Sequence, residues 1–321
     1  MQLNTPRVLP DAAIFEAIAC YFCGSNSHQP FVLAQDDLTG KPGTFSFVRC
    51  DECGLVYQNP RVGIAHIKDY YDEEYIAHRK KQDWGALTWF YNYAMGKHDR
   101  EKDRIVRRYI ELGAESQVLD VGCGAATFLL RTKERYGSRV TGVDFKDLSQ
   151  LPNFDQIDFH CGLFYEQDFR GQRFDLLTMW HFLEHDYAPM RTLSVARELL
   201  TQDGRLIIEV PRLDSVSYRL FHNRWAGLQA PQHTVLYDRE MLLKFVEKAG
   251  LELVDYLPYG AFPAYFYLFA GVAFRIRQGK GLDFSKAIYP YFAGQLLLSP
   301  LLLFERHLNL AMQTVVCKRA T

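Results

Sequence analysis

The sequence predicts an α/β protein in which helices cover both faces of a mostly parallel sheet. From residue 116 onward, apolar runs of strand type alternate with amphipathic helical runs, an order typical of parallel sheets. The first strand-like run ends in a tight glycine turn at Gly122 and Gly124, directly before a helical run. The successive segments are "QVLDVG", "AATFLLRTKERYG", "RVTGVDF", "IDFHCG", "RFDLLTMWHF", "APMRTLSVARELLTQDG", "RLIIEVP", "DREMLLKFVEKAG", "LELVDYLPYG" and "LNLAMQTVVCK".

Composition limits the class of protein. The 321 residues are 48% hydrophobic, which is enough for one large domain with additions or for two domains. The net charge of -1 gives no overall basic field that would favour nucleic acid. The opening "MQLNTPRVLPDAAIF" lacks the apolar core of a signal peptide. We therefore expect a cytoplasmic chain whose seven cysteines stay reduced.

Four of the cysteines have the spacing of a zinc site. Cys20 and Cys23 in "CYFCG", and Cys50 and Cys53 in "CDECG", repeat the pattern C-x2-C followed by glycine. Four thiolates complete the tetrahedral shell of Zn²⁺ and leave no position for water, so the expected ion is structural. The alternative is two unrelated thiol pairs. Residues 1–62 are therefore predicted to form a zinc-ribbon module.

Two further regions differ in composition. Residues 63–115 are rich in aromatic and charged side chains and include a helix-stop glycine at Gly113, which predicts a helical lid or linker. Residues 116–321 hold the α/β domain. Within it, residues 258–307 contain two apolar stretches separated by a polar segment. This pattern predicts a helical hairpin inserted before the last strand.

The glycine turn and the strand after it indicate the ligand. The turn has two of the three glycines of a dinucleotide fingerprint, since Thr127 occupies the third position. Asp144 ends the next strand 20 residues after Gly124, where a carboxylate can bind both hydroxyls of a ribose. Asp120 precedes the turn, where it would repel a phosphate but suit an ammonium group. A ligand with a ribose, a cationic centre and an amino-acid tail is S-adenosylmethionine.

Four motifs in this order and spacing resemble those of class I S-adenosylmethionine-dependent methyltransferases. They are "VLDVGCGAATF", "VTGVDF", "FDLLTMWHFLEHDYAP" and "ARELLTQDGRLIIEVP". The resemblance covers residues 116–257 and the last strand, and it implies a Rossmann-like seven-stranded sheet whose last strand, at 308–318, runs antiparallel. It also implies a set of donor-binding residues: Asp120, Gly122, Cys123, Gly124, Asp144, Phe145, Trp180 and His181.

A four-cysteine module in front of such a domain resembles the sugar methyltransferases of polysaccharide and natural-product pathways. Those that methylate carbon have a Tyr-x-Glu-His cluster after the fifth strand and a further C-terminal domain. Here the segment reads "LQAPQHTVLY", so Ala230 and Gln232 replace the tyrosine and glutamate, and His233 is retained. We therefore expect methyl transfer to oxygen or nitrogen, with sugar C-methylation as an alternative. The adenine-reading position also departs from the family, with Gly162 followed by Leu163.

Two histidines are candidates for the catalytic base. The segment that contains His233 should lie at the carboxyl edge of the sheet, where ligands bind in open α/β folds. A neutral imidazole there can remove the proton of a hydroxyl or amine acceptor. The alternative is that His233 only bonds to the loop backbone. His181, at the end of the fourth strand, is the second candidate.

The expected acceptor is a small molecule or a sugar, free or linked to a nucleotide or lipid. The competing hypothesis is a zinc-ribbon RNA methyltransferase or RNA-binding module. Residues 20–60 hold Lys41 and Arg49 as their basic residues, against the acidic residues Asp36, Asp37, Asp51 and Glu52. Phosphate binding needs the opposite balance, so no nucleic-acid partner is expected.

The apolar insertion has two interpretations. Its stretches "AFPAYFYLFAGVAF" and "IYPYFAGQLLLSPLLLF", within residues 261–304, fall short of the ~20 residues of a membrane span. They form either a hairpin that packs on the sheet, covers the acceptor pocket or makes a homodimer, or a peripheral attachment to the inner face of the membrane. The second would use Arg275, Arg277 and Lys280 against anionic headgroups.

Overall fold

The computed structural model describes residues 14–71, 88–282, 284–302 and 304–320. Residues 72–87 of the predicted lid lie outside the described residues. The strands are β1 (Phe15–Glu16), β2 (His28–Ala34), β3 (Phe45–Cys50), β4 (Val56–Gln58), β5 (Arg61–Val62), β6 (Gln117–Val121), β7 (Arg139–Asp144), β8 (Asp158–Cys161), β9 (Phe174–Trp180), β10 (Leu200–Pro211), β11 (Val235–Leu236), β12 (Leu251–Leu257) and β13 (Met312–Arg319).

A seven-stranded sheet forms the centre of the α/β domain, in the order β12-β13-β10-β9-β6-β7-β8. The neighbours from β10 to β8 pair in parallel, whereas β13 runs antiparallel to both β10 and β12. The predicted sheet and its antiparallel last strand are confirmed. The last strand begins at Met312 rather than 308, because Glu305–His307 forms a short 3-10 turn and Leu308 follows it without strand pairing.

The helices are α1 (Thr88–Val106), α2 (Thr127–Tyr136), α3 (Pro189–Leu199), α4 (Val216–Phe221), α5 (Arg239–Lys248), α6 (Ala264–Arg277), α7 (Phe284–Leu297) and α8 (Ser299–Leu302). Two of them begin at side-chain caps. Ser215 accepts a hydrogen bond from the backbone N–H of Tyr218 at the start of α4, and Asp238 accepts one from Met241 at the start of α5. Such caps satisfy N–H groups that have no partner within the helix.

Side chains of the central strands alternate between two cores, as expected for a sheet covered on both faces. Leu119 and Leu177 pack with α3 and α5 on one face. Their neighbours Val118 and Leu176 pack with α1 and α2 on the other. The predicted helical layers on both faces follow directly from this alternation.

The N-terminal region forms a small antiparallel sheet, in the order β11-β4-β3-β2. Its edge strand β11 comes from the segment after β10, and Val235 pairs there with Tyr57. The ring of Phe22 also lies 5.1 Å from that of Phe245 on α5. The cysteine-bearing region and the α/β domain therefore share a sheet and a core.

The apolar insertion between β12 and β13 folds into the helices α6, α7 and α8. Helix α6 packs against α4 at Gly271, where an added Cβ would lie 2.3 Å from the Phe221 ring. Within the described part of the chain, no helix is long and apolar enough to cross a membrane. The close approach at Gly271 fixes α6 on the domain.

Replacing Gly271 by alanine should destabilise the protein by about 1–3 kcal/mol, because the new methyl group overlaps an aromatic ring in a packed core. Alanine's better helix propensity, worth about 1 kcal/mol, offsets only part of this loss. Gly96→Ala on α1 is the matched control, since among the described residues its Cβ would meet the flexible Arg100 side chain at 3.4 Å. Chemical denaturation of both variants provides the measurement, and equal stability would contradict the proposed packing.

Candidate functional site

The glycine turn after β6 has the geometry of a ligand-binding turn. Gly122 and Gly124 have positive φ angles of 75° and 51°, which L side chains rarely adopt. The backbone N–H of Gly122 donates to the Val143 carbonyl and ties the turn to β7. A Cβ at Gly122 would lie 2.8 Å from the Phe182 ring. Thr127 begins α2, so the position of the missing third glycine is the first residue of that helix.

Asp144 ends β7 beside this turn. Its Oδ2 accepts a hydrogen bond from the Gly124 N–H at 3.0 Å, and its Oδ1 accepts one from the Lys146 N–H at 3.0 Å. The side chain is buried, and burial raises its pKa. Each carboxylate oxygen has a second lone pair, so the group can still accept bonds from two ribose hydroxyls.

Asp120 lies deeper than expected. It is 3% exposed, and its Oδ1 accepts a hydrogen bond from the Thr178 hydroxyl at 2.6 Å. Burial raises the pKa of Asp120 to about 6. Cys123 and Trp180 are buried as well, at 8% and 5% exposed. None of these three residues is among the described residues that line the cavity next to the turn.

A cavity of about 420 Å³ lies where the parallel strands end. Ligands bind at this edge in open α/β folds. The described residues that line it are Ile64, Ala65, Ile67, Lys68, Tyr71, Gly122, Gly124, Asp144, Phe145, Gly162, Leu163, His181, Phe182, His185, Asp186 and Tyr187. The cavity thus brings the glycine turn, Asp144 and the Gly162–Leu163 step together with two histidines.

His181 is held between two buried glutamates. Its Nε2 lies 3.1 Å from Oε1 of Glu209, and its Nδ1 lies 3.5 Å from Oε1 of Glu184. Burial alone would lower the pKa of His181, but its contacts with the two carboxylates outweigh burial and raise it to about 9. The raised pKa favours the protonated form of His181, which is a poorer proton acceptor than a neutral imidazole.

His185 and His233 contact each other, and the neutral form of both rings is favoured. Their ring centroids are 4.4 Å apart, and burial lowers the pKa of both. Nδ1 of His233 donates to the Gly227 carbonyl at 2.8 Å, which leaves the lone pair on Nε2. His185 lines the cavity, where Tyr71 is hydrogen-bonded to its Nδ1 at 2.9 Å. His233 lies behind His185, at 3% exposed.

A family comparison agrees with this arrangement of sheet, turn and cavity. Residues 94–256, about half of the chain, match the family model described as a methyltransferase domain. The chain is a class I S-adenosylmethionine-dependent methyltransferase. Its activity is therefore methyl transfer from S-adenosylmethionine. A search of curated proteins gave no match.

Solved methyltransferases resemble the chain at low identity. The CcbJ methyltransferase from Streptomyces caelestis is 16% identical with a TM-score of 0.46, over 70% of this chain and 90% of that one. A TehB-like methyltransferase from Corynebacterium glutamicum is 15% identical with a TM-score of 0.42, over 80% of this chain and 100% of that one. A phosphoethanolamine N-methyltransferase of Haemonchus contortus is 15% identical with a TM-score of 0.47, over 69% of this chain and 53% of that one. Similarity this distant carries no information on the acceptor.

The methyltransferase also has a four-cysteine cluster that is compatible with zinc. One sulfur atom from each of Cys20, Cys23, Cys50 and Cys53 lies within 4.8 Å of the others. Two of the sulfur pairs are 3.5 Å apart, close to the roughly 3.8 Å edge of a tetrahedron with Zn–S bonds of about 2.3 Å. Gly54 has a φ angle of 82° directly after its pair, as the repeated pattern predicts.

Several site residues of the methyltransferase carry no clear signal in the sequence. Glu184 and His185 look like helix-bracing residues, yet Glu184 is 1% exposed and His185 lines the cavity. Glu209 lies in an apolar strand, and a single glutamate in such a strand is a sequence signal for a buried functional carboxylate. Conversely, Trp225, a possible pocket residue by sequence, is buried in the core with its Nε1 donating to Ser217.

Asp144→Ala should weaken S-adenosylmethionine binding by about 1.5–3 kcal/mol, through loss of charge-assisted bonds to the ribose. Asp147→Ala is the matched control, because Asp147 lies in the same loop but is exposed. Calorimetric titration of both variants gives the comparison. Equal affinities of the Asp144→Ala variant and the wild type would rule out the role given to Asp144.

Proposed function

We propose that the methyltransferase acts on an oxygen or nitrogen atom of a small polar acceptor, such as a sugar that is free or linked to a nucleotide or lipid. The observation that carries this proposal is one continuous cavity that is lined by the glycine turn, by Asp144 and by the neutral imidazole of His185. Donor and acceptor can therefore meet in one cavity, as methyl transfer requires.

The residues around the glycine turn fit the donor. S-adenosylmethionine supplies a methyl group on a positively charged sulfur, which is already a good electrophile. Asp144 would hold the ribose, and the turn at Gly122 and Gly124 would receive the amino-acid end. Phe145 and the Gly162–Leu163 backbone line the same cavity and offer apolar and backbone contacts to adenine. The buried side chains of Asp120 and Trp180 would support this turn, and Cys123 is part of it.

The pair of His185 and His233 is the proposed base. As the acceptor oxygen or nitrogen forms its bond to the methyl carbon, the carbon–sulfur bond breaks and the acceptor loses a proton. The neutral ring of His185 lines the cavity and can take that proton, while His233 contacts it from behind. His181 is the weaker candidate for this step, because contact with two glutamates raises its pKa.

The segment around His233 favours oxygen or nitrogen over carbon. Gln232 is fully buried, and its amide donates to the Tyr70 carbonyl, so it has a structural task. The side chain of Ala230 has no polar group. Removal of a proton from carbon needs more acid–base assistance than a hydroxyl or amine does, and neither residue supplies it.

An RNA acceptor has little support in the N-terminal sheet. Arg49 lies over the Phe31 ring and donates to the Gly54 carbonyl. The acidic residue Asp37 is paired with Arg224. The basic side chains of this region are thus few and Arg49 is engaged in intramolecular contacts, whereas RNA binding needs a surface of free cations. A small-molecule acceptor is the better proposal.

We also propose that the four cysteines bind one structural zinc ion and that the chain works in the reducing cytoplasm, where these thiols stay available. The Gly24 N–H donates to the Cys20 carbonyl and the Gly54 N–H to the Cys50 carbonyl, so each C-x2-C turn is closed by the same backbone bond. Two equal turns that face each other are the arrangement expected around one tetrahedral ion.

Cys53→Ser should lose the tightly held zinc and lower the melting temperature, because metal binding and local folding are coupled. Cys161→Ser, at an exposed thiol outside the cluster, should keep both. Metal analysis after dialysis, together with thermal unfolding, makes the comparison. A wild-type chain that is folded and free of zinc would contradict the assignment.

His185→Gln and His233→Ala should each lower turnover by about 10²–10⁴-fold and leave donor affinity nearly unchanged, because a general base acts on the transition state. Since burial lowers the pKa of both rings, the neutral base form persists below the ordinary histidine value of about 6.5. Turnover should therefore fall only at lower pH. The exposed His307→Ala serves as the control, and normal turnover in both test variants would exclude the proposed base.

The hairpin of α6 and α7 is proposed to attach the enzyme peripherally to an anionic membrane surface at a lipid-linked acceptor. Its large exposed apolar side chains include Ile276 at 78%, Leu296 at 77% and Leu297 at 79%. Arg275 and Arg277 flank Ile276 at the end of α6. Exposed apolar surface bordered by cations matches an anionic lipid interface.

The chain should sediment with vesicles that contain phosphatidylglycerol and stay free of purely phosphatidylcholine vesicles. Leu296→Asp combined with Leu297→Asp should abolish binding, while Leu33→Asp, at an exposed leucine on the N-terminal sheet, should not. If the hairpin instead joins two copies of the chain, the test pair of substitutions will convert a dimer to a monomer in solution and leave vesicle binding absent throughout.

A further inference from the structure

Three metal-type ligands from separate elements meet beside the methyl-transfer cavity. His98 lies on α1, His181 follows β9, and Glu209 is on β10. One ligand atom of each lies within 4.8 Å of the other two. Their positions in the chain are 83 and 28 residues apart, so only the fold brings them together. None of the roles described so far accounts for His98.

One ring nitrogen of each histidine lacks a hydrogen bond. Among the described residues, Nε2 of His98 is buried and has no hydrogen-bond partner. Nε2 of His181 is also buried and lacks an aligned hydrogen bond, although it lies 3.1 Å from Oε1 of Glu209. Buried polar atoms without a partner are rare in native proteins, and an unoccupied ion position is one of their recognised causes.

The surrounding contacts hold the ligands in the way that metal sites require. Glu209 is fully buried, and its carboxylate accepts hydrogen bonds from the backbone N–H groups of Ala261 and Phe262. His181 has the Glu184 carboxylate 3.5 Å from its Nδ1. A carboxylate behind a ligating histidine fixes the ring and strengthens its binding to the metal. The Phe262 ring lies 5.3 Å from that of His98 and 4.9 Å from that of His181, and forms an apolar wall.

We propose that His98, His181 and Glu209 bind a divalent transition-metal cation, in a site separate from the four cysteines. Two imidazoles and one carboxylate suit Zn²⁺, Mn²⁺, Fe²⁺ or Co²⁺ better than Mg²⁺ or Ca²⁺, which prefer oxygen ligands alone. Three protein ligands leave coordination positions open, as in catalytic rather than structural sites. On binding, the cation would displace the proton on Nε2 of His181, because a ligating imidazole is neutral.

The site would act on the acceptor, and this part of the inference rests on the proposed function. His181 lines the cavity, so an open coordination position would be accessible to an acceptor oxygen. Coordination lowers the pKa of a hydroxyl, which makes its proton easier for His185 to remove. The cation itself undergoes no redox change, and the methyl group passes directly from sulfur to the acceptor.

Titration of the full-length wild-type chain with Co²⁺, with zinc left in the four-cysteine site, tests the proposal. The expected result is one further equivalent of bound Co²⁺ whose visible spectrum has weak d–d bands and no thiolate charge-transfer band. His98→Ala should weaken this binding by more than about 100-fold, and Glu184→Gln by about 10–100-fold, as outer-shell losses do. The exposed His307→Ala is the matched control and should bind Co²⁺ like the wild type.

His98→Gln provides a second variant in case the alanine variant is poorly folded, and S-adenosylmethionine binding by each variant verifies its fold. The proposal is overturned if the wild type takes up no further Co²⁺, or if the folded His98 variants bind it as tightly as the wild type. Methyl transfer without the second equivalent would refute the cation's role and leave the methyl-transfer proposal intact. If the chain binds Co²⁺ specifically but methylates no oxygen or nitrogen acceptor, the cation site stands and the proposed function is refuted.

Discussion

The parallel pairing of β6 with β7 and β9 is the constraint on which the rest of the site depends. Because the three strands run in the same direction, their carboxyl ends meet at one edge of the sheet. The glycine turn, Asp144 and His181 follow those three ends. The bond from the Gly124 N–H to Asp144 then joins two of the strand ends directly. Donor motif and candidate acceptor groups become neighbours without any long loop to position them.

A second constraint is the cost of burying charge at this edge. Glu209 and Glu184 are 0% and 1% exposed, and an isolated buried carboxylate would be very unfavourable. Two backbone N–H groups stabilise Glu209, and the imidazolium of His181 lies beside both acids. A cation bound at Nε2 of His181 would replace the proton of the imidazolium and offset the same charge. The site is thus polar and preorganised, with the aromatic ring of Phe262 packed against His98 and His181.

The local motifs allowed much of the fold to be predicted, and they also indicate the proposed donor residues. A glycine turn between a strand and a helix has few possible geometries, and Asp144 is placed by the length of one strand–helix–strand unit. The four cysteines were likewise predictable, since their spacing reflects two equal turns. In each case the residues of one turn or one strand–helix–strand unit are close in sequence, so a short sequence pattern determines most of their local geometry.

Long-range contacts account for what the sequence did not reveal. His98 belongs to a helix whose position over β9 and β10 depends on packing across the whole domain. The pairing of β11 with β4 joins segments almost 180 residues apart, and no pattern in either strand indicates it. The position of His233 behind His185, rather than at the cavity itself, depends on the loop bond to Gly227. Such relations arise from tertiary packing and have no local signature.

The most direct test of the account is a crystal structure of the chain with S-adenosylhomocysteine. The account predicts that both ribose hydroxyls lie within about 2.6–3.2 Å of the Asp144 carboxylate, that the amino-acid end contacts the turn at Gly122, and that the sulfur faces His185. A nucleoside bound elsewhere, or bound in this cavity with its ribose away from Asp144, would contradict the assignment of the site.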